Sequence, residues 1–183
     1  MTLFFNLQDE ESSTDEMYKG QLRVSMMFFP GGHTKKSKGQ GTLNIAVEQA
    51  KDLQEPVDSF VKLYLLPDKS SSGKRKTKII KSSLKPTWEE KFTYEKVELK
   101  DLSYERVLEV TVWSFHKRSG NVFIGGLRLG PAPGSAAKHK DWMDSIGDEV
   151  THWEDMLAHP GEWVEQWHTL RTTMNPRDIL LHY

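Results

Sequence analysis

Cysteine is absent from this chain of 183 residues. That excludes disulfide staples, thiolate nucleophiles and Cys-ligated zinc, and it suits a reducing compartment. Long apolar runs are missing too. The longest, such as Met26-Met27-Phe28-Phe29 and Ile79-Ile80, fall far short of the roughly 18 residues a spanning helix needs, so any membrane contact is expected to be peripheral. Neither a basic stretch nor a small-residue cleavage site precedes Asp9-Glu10-Glu11, so no secretory signal is expected there. Nucleophile elbow, phosphate-cradling loop and paired-carboxylate signatures are also lacking; no catalytic residue is assigned and an enzyme is not expected.

What is present suffices for a folded domain. Hydrophobic residues make up 37% and charged residues 28%, outside the range of disordered tracts, and the length fits one domain with tails. The net charge of −1 conceals a segregation of sign. Asp9, Glu10, Glu11, Asp15 and Glu16 fall in residues 1–20, where no periodicity appears, and this segment reads as an acidic linker. Between Lys69 and Trp88 there are seven basic residues and no acid.

Gln21 to Phe29 begins with alternating apolar and polar residues and stops at Pro30-Gly31-Gly32. In Thr42 to Glu48, Leu43, Ile45 and Val47 share one face, the signature of a half-buried strand. Comparable runs follow at 59–66, 74–81, 89–94, 107–115 and 122–129, and Trp163 to Leu170 supplies an eighth. Short strands punctuated by Gly, Pro, Ser and Asp predict an all-β fold, an eight-stranded antiparallel sandwich. One stretch departs from it. Between Lys138 and Leu157, Trp142, Ile146, Val150, Trp153 and Leu157 recur at helical spacing, predicting a helix over about 138–157, before the last strand. Asp148, His152, Asp155 and His159 form the opposite stripe; it superficially resembles a metal-binding face and is expected to be solvated. The folded domain is placed at 21–171 and a tail at 172–183.

Several of these segments are specific enough to suggest a family. Ala50-Lys51-Asp52-Leu53, then Asp58 to Pro67, the basic strand Lys74-Arg75-Lys76-Thr77-Lys78, Ser83-Leu84-Lys85-Pro86, Leu108 to Trp113, Phe123-Ile124-Gly125-Gly126 and Trp167-His168-Thr169-Leu170 together resemble a C2 domain. The helix near Asp141 to Ser145 and the ending Trp167 to Leu170 resemble the second C2 domain of synaptotagmins and, more closely, of synaptotagmin-like proteins. The resemblance implies a module of vesicle trafficking and exocytosis docking, cytoplasmic and peripheral on the plasma membrane or secretory vesicles. A Rab GTPase would engage such proteins only through a region absent from this chain.

In that family calcium is held by aspartates on two loops at one end. Calcium takes six to eight oxygen ligands. Here Asp58 alone stands at a family position, while Ser114 and His116 replace acids and Lys117 and Arg118 add positive charge. No metal and no cofactor is therefore expected, calcium included. The basic strand is the expected lipid site: Lys74, Lys76 and Lys78 share a face, Arg75 and Lys81 point to the other, and Lys117 and Arg118 are a second candidate contact. The chemistry selects an anionic membrane surface, phosphoinositide before phosphatidylserine. An alternative is an acidic trafficking or fusion-machinery protein. Nucleic acid is not expected, because the strand lacks interleaved aromatics for base stacking. Trp88, Trp113 and Trp153 are expected in the core or its seams. Trp167, His168 and Leu170 are a candidate docking motif, with the alternative that one of the alternating pairs faces the core.

Overall fold

The computed structural model describes residues 20–177 apart from His33 and Ala137. The expected acidic linker lies outside the described residues save for Gly20, as does the tail beyond Arg177. Period-two patterning resolves into β1 (Gln21–Pro30), β2 (Gln40–Lys51), β3 (Val57–Leu66), β4 (Arg75–Lys76), β5 (Ile80–Ser83), β6 (Thr87–Glu98), β7 (Val107–Ser114), β8 (Val122–Leu129) and β9 (Val164–Thr169). They pair antiparallel into two sheets. One has the order β6-β2-β1-β9; the other runs β4-β3-β7-β8, with β5 also on β3. Leu22, Val24 and Met26 of β1, Leu43, Ile45 and Val47 of β2, Val61, Leu63 and Leu65 of β3 and Val110 and Val112 of β7 meet in one buried core. Apolar area removed from water is the dominant drive for this face-to-face packing.

The run expected as one strand over 74–81 breaks in two. Thr77 turns inward: its amide donates to the Val61 carbonyl at 2.9 Å and its Oγ1 accepts from the Val61 amide at 2.9 Å. The next amide, Lys78, donates to Glu90 Oε2 at 2.8 Å instead of to a neighbouring strand. A side-chain acceptor thus replaces the ladder for a few residues.

The helical expectation holds only for its second half. Helix α2 spans Asp148–Ala158, and residues 138–147 form turns and irregular backbone. Gly147 takes φ 55°, a left-handed value that ends helical propagation. Asp144 and Ser145 are drawn instead to Arg128, through Asp144 Oδ2 at 3.1 Å and Ser145 Oγ at 2.6 Å to the Arg128 carbonyl. Ile146, expected on the buried stripe, is 48% exposed. The opposite stripe is also corrected. Asp148, Asp155 and His159 are exposed, but His152 is fully buried. A short helix α1 (Leu99–Tyr104) was not legible in the sequence, because its one buried residue, Leu102, gives no period; Trp153 Nε1 donates to the Leu102 carbonyl at 2.8 Å.

Three arginines and three carboxylates fasten α2 and the C-terminal segment to the second sheet. Arg128 binds Glu109 at 3.0 Å and Asp144 at 3.1 Å; Arg171 binds Asp144 at 2.9 Å and Glu149 at 2.7 Å; Arg177 binds Glu149 at 2.5 Å. Burial alone would raise Asp144, yet the Arg171 guanidinium, the Arg177 amide and Arg128 hold its carboxyl below the usual range. Residues 172–177, expected as tail, are therefore anchored at both ends. The Arg171 amide donates to the Gly126 carbonyl at 2.8 Å, and the Arg177 amide donates to Asp144 Oδ2 at 3.0 Å.

Candidate functional site

The outward face of the β4-β3-β7-β8 sheet gathers the basic residues. Lys76 lies opposite Lys62, Lys62 opposite Thr111, and Thr111 opposite Gly126. Lys74, Lys76 and Lys78 are exposed while Thr77 is buried, the alternation expected. The sequence by itself does not mark Lys62 as part of the site. Its alternation with buried Val61 and Leu63 marks it as outward, but only the register shows that it abuts Lys76.

Four ammonium groups converge here. Lys62 is held below its usual value by burial first, then by Lys74, Lys69 and Lys76, with Glu109 opposing them. Aromatic rings support the cluster: Lys62 Nζ stands 4.5 Å from the Trp113 centroid, and Lys76 Nζ stands 4.3 Å from that of Phe60. Trp113, expected in the core or at a seam, is a half-buried wall of this face; Trp88 and Trp153 are core residues.

Two members of the expected lipid set are placed differently. Arg75 points toward the other sheet. Its Nη2 donates to the Thr93 carbonyl at 3.0 Å, its Nη1 to the Ser72 carbonyl at 2.9 Å, and its guanidinium lies 4.4 Å from the Tyr94 ring. With these partners it stitches the two sheets rather than facing an anion. Lys81 lies on β5, exposed, and is not among the charges acting on Lys62.

Beside Lys62 the face deepens into a trough of about 310 Å3, lined by Lys62, Tyr64, Lys69, Glu109, Thr111, Trp113, Phe123, Thr172, Thr173 and Met174. Lys69 Nζ meets Glu109 at 3.1 Å, and Arg128 meets the same carboxylate at 3.0 Å, so its charge is matched. A larger cleft of about 820 Å3, between Pro67, Arg106 and Trp142, holds none of the residues assigned to lipid.

At one end of the sandwich the loop Leu53–Asp58 meets the β7–β8 loop, where the Phe115 amide donates to the Asp58 carbonyl at 2.6 Å. Asp58 Oδ1 accepts from the Ser82 amide at 2.8 Å. The Ser114 hydroxyl and His116 Nε2 bond each other at 3.0 Å. The partly engaged Asp58 carboxylate, the exposed Glu55 on the same loop, a hydroxyl and an imidazole are a sparse set beside the six to eight oxygen ligands that calcium takes. Among the described residues there is no group of three or more His, Cys, Asp or Glu able to hold a metal. Lys117 and Arg118 are exposed at this end.

Burial selects between the two readings of the Trp167-His168-Leu170 motif. His168 and Leu170 are each 2% exposed and face the core, so neither can touch a partner. Trp167 is half-buried on the opposite face, with Lys51 Nζ 4.1 Å from its ring centroid. His152 and His168 stack at 4.9 Å with Nδ1 and Nε2 2.7 Å apart. Since the Val164 carbonyl can only accept, His152 Nε2–H donates to it at 2.7 Å, leaving Nδ1 to accept from His168 Nε2–H. Burial, reinforced by His152, pushes His168 down to about 4.

Comparison with known proteins agrees with this architecture. The C2 domain family matches residues 41–145. Synaptotagmin-like protein 2 of Bos taurus is 33% identical over 153 residues, and that of Mus musculus is 34% identical. Each alignment covers 80% of this chain and 16% of the relative, so the chain spans only a small part of those proteins. A C2 domain of RIM from Drosophila has the same fold, with TM-score 0.60 at 22% identity over 84% of this chain and 99% of that one. The corresponding C2 domain of RIM2 aligns with TM-score 0.56 at 26% identity over 83% of this chain and 97% of that one. With the paired antiparallel sheets, the helix before the last strand and the match across residues 41–145, the chain belongs to the C2 domain family, a family of binding modules.

Proposed function

We propose that this chain binds acidic phospholipid surfaces, phosphoinositide and phosphatidylserine, through the cationic face of β3 and β4, without calcium, in the docking of vesicles for exocytosis. Its site of action is the cytosolic face of the plasma membrane or of secretory vesicles. The observation that carries this reading is the register that sets Lys76 opposite Lys62, with Lys69 and Lys74 close enough to act on the Lys62 ammonium, which burial first and these neighbours second hold below its usual value. Such a cluster adds little to folding and gains energy when an anion neutralises it. Its relation to synaptotagmin-like protein 2 supports the trafficking context.

Near an anionic leaflet each lysine contributes about 1 kcal/mol, so replacing Lys62, Lys74 and Lys76 with alanine removes roughly 3 kcal/mol, about 100-fold in affinity. Cosedimentation with protein-free vesicles reads this directly, with phosphatidylserine or phosphatidylinositol 4,5-bisphosphate, in calcium and in chelator. Equal binding in calcium and chelator, together with loss in the triple variant, is the expected result. Unchanged binding by a folded triple variant would sink the reading. Capture of an acidic peptide without any vesicle binding would transfer the site to a protein partner.

A further inference from the structure

The segment Thr172 to Met174 lines the trough together with Lys62 and Lys69. It is seated on the backbone of β8: a Cβ at Gly126 would fall 2.5 Å from Met174 Sδ, and one at Gly125 would fall 2.8 Å from Leu170 Cβ. Glycine at 125 admits the close approach of Leu170 Cβ, and the Met174 thioether occupies the space over Gly126. Arg171 holds one end by two backbone bonds to Gly126, and Arg177 holds the other through Asp144 and Glu149. Asp144 is fully buried and Glu149 is 5% exposed, so removing either arginine leaves a buried carboxylate short of its partner.

Chemically the trough is two-sided. Lys62 stands between Lys76 and Thr111, Lys69 lies toward Glu109, and Thr172 and Thr173 line the same trough, Thr173 Oγ1 accepting from the Asn175 amide at 3.1 Å and keeping its own hydrogen to donate. A flat leaflet of singly charged lipids can reach Lys74, Lys76 and Lys78 on the exposed rim. A ring carrying phosphates on separate carbons can enter, placing one phosphate among the ammonium groups and offering another to the threonine hydroxyls, which donate well to anionic oxygen. Its volume, about 310 Å3, is at the lower end of small-ligand sites.

We propose that Thr172 to Met174 is a fixed wall of the cationic trough and sets its selectivity for a polyphosphorylated inositol ring over single-phosphate head groups. This rests on the lipid reading above, and the experiment separates the two. The full chain is mixed with phosphatidylcholine vesicles carrying phosphatidylinositol 4,5-bisphosphate or, at matched total charge, phosphatidylserine; soluble inositol 1,4,5-trisphosphate is titrated in parallel by calorimetry. The wild type favours the phosphoinositide vesicles and takes up the soluble ring. Thr173→Trp, which fills the trough, lowers the ratio of phosphoinositide to phosphatidylserine binding by about tenfold, the order expected for losing a charge-assisted hydrogen bond, and abolishes uptake of the soluble ring. The double replacement of Thr172 and Thr173 by alanine removes the hydroxyls without bulk and lowers the ratio in the same direction; it decides the matter if Thr173→Trp fails to fold. Retention of the wild-type ratio by folded variants overturns the wall. So does a wild type that binds both matched vesicles equally, which leaves the lipid reading standing. Absence of binding to either vesicle defeats the lipid reading itself.

Discussion

The buried imidazoles show how much a single residue's role depends on its surroundings. His152 reads from the sequence as part of a solvated stripe and His168 as part of a docking motif, yet the two stack and hydrogen-bond in the interior. Both titrate below the ordinary value of 6.5, through burial first, His168 to about 4. Folding therefore favours the neutral rings. The stabilisation is full above about 6.5 and is lost as pH falls toward about 4. Urea midpoints for the wild type should fall between pH 7.5 and pH 5, before most carboxylates protonate. His168→Gln should be less stable at pH 7.5 but lose less on acidification; equal slopes for the two proteins would contradict the assignment. Arg75 and Trp113 make the same point in opposite directions: one leaves the expected lipid set to bridge the two sheets, the other, expected in the core or at a seam, walls the cationic face.

Elements form where local pattern and long-range partners agree. The strands over 21–30 and 57–66 satisfy both, because alternation places Leu22, Val24, Met26, Val61, Leu63 and Leu65 inward and sheet pairing keeps them there. The helix over 148–158 begins late because Asp144 and Ser145 are claimed by Arg128, a partner 16 or 17 residues away. The C-terminal arm follows the same logic, since nothing in the run Arg171-Thr172-Thr173 announces a binding wall. Its ionic anchor can be tested by itself. Arg171→Leu leaves Asp144 and Glu149 short of a buried partner and should cost about 3–5 kcal/mol in urea unfolding. A loss below about 1 kcal/mol, the range of surface pairs, would show that water already compensates the carboxylates.

At the scale of the molecule, a near-neutral chain carries a cationic face on one sheet and, at one end, loops whose donors do not suit calcium. A site binding calcium with a dissociation constant of about 10 μM would add about 2.7 kcal/mol of stability at about 1 mM calcium. For a domain of this size that corresponds to a rise of about 5 °C or more in thermal midpoint. The expected shift on adding calcium, or on removing it with a chelator, is none, and differential scanning fluorimetry checks it. The sequence by itself determined the sandwich, the β3 and β7 cores and the basic run, because side-chain period and composition are local properties of the chain. The tertiary structure decided which lysines stand together, that Arg75 is committed elsewhere, and that residues 172–174 wall the trough. Those facts depend on register and on ion pairs between segments far apart in sequence, and no local period encodes either.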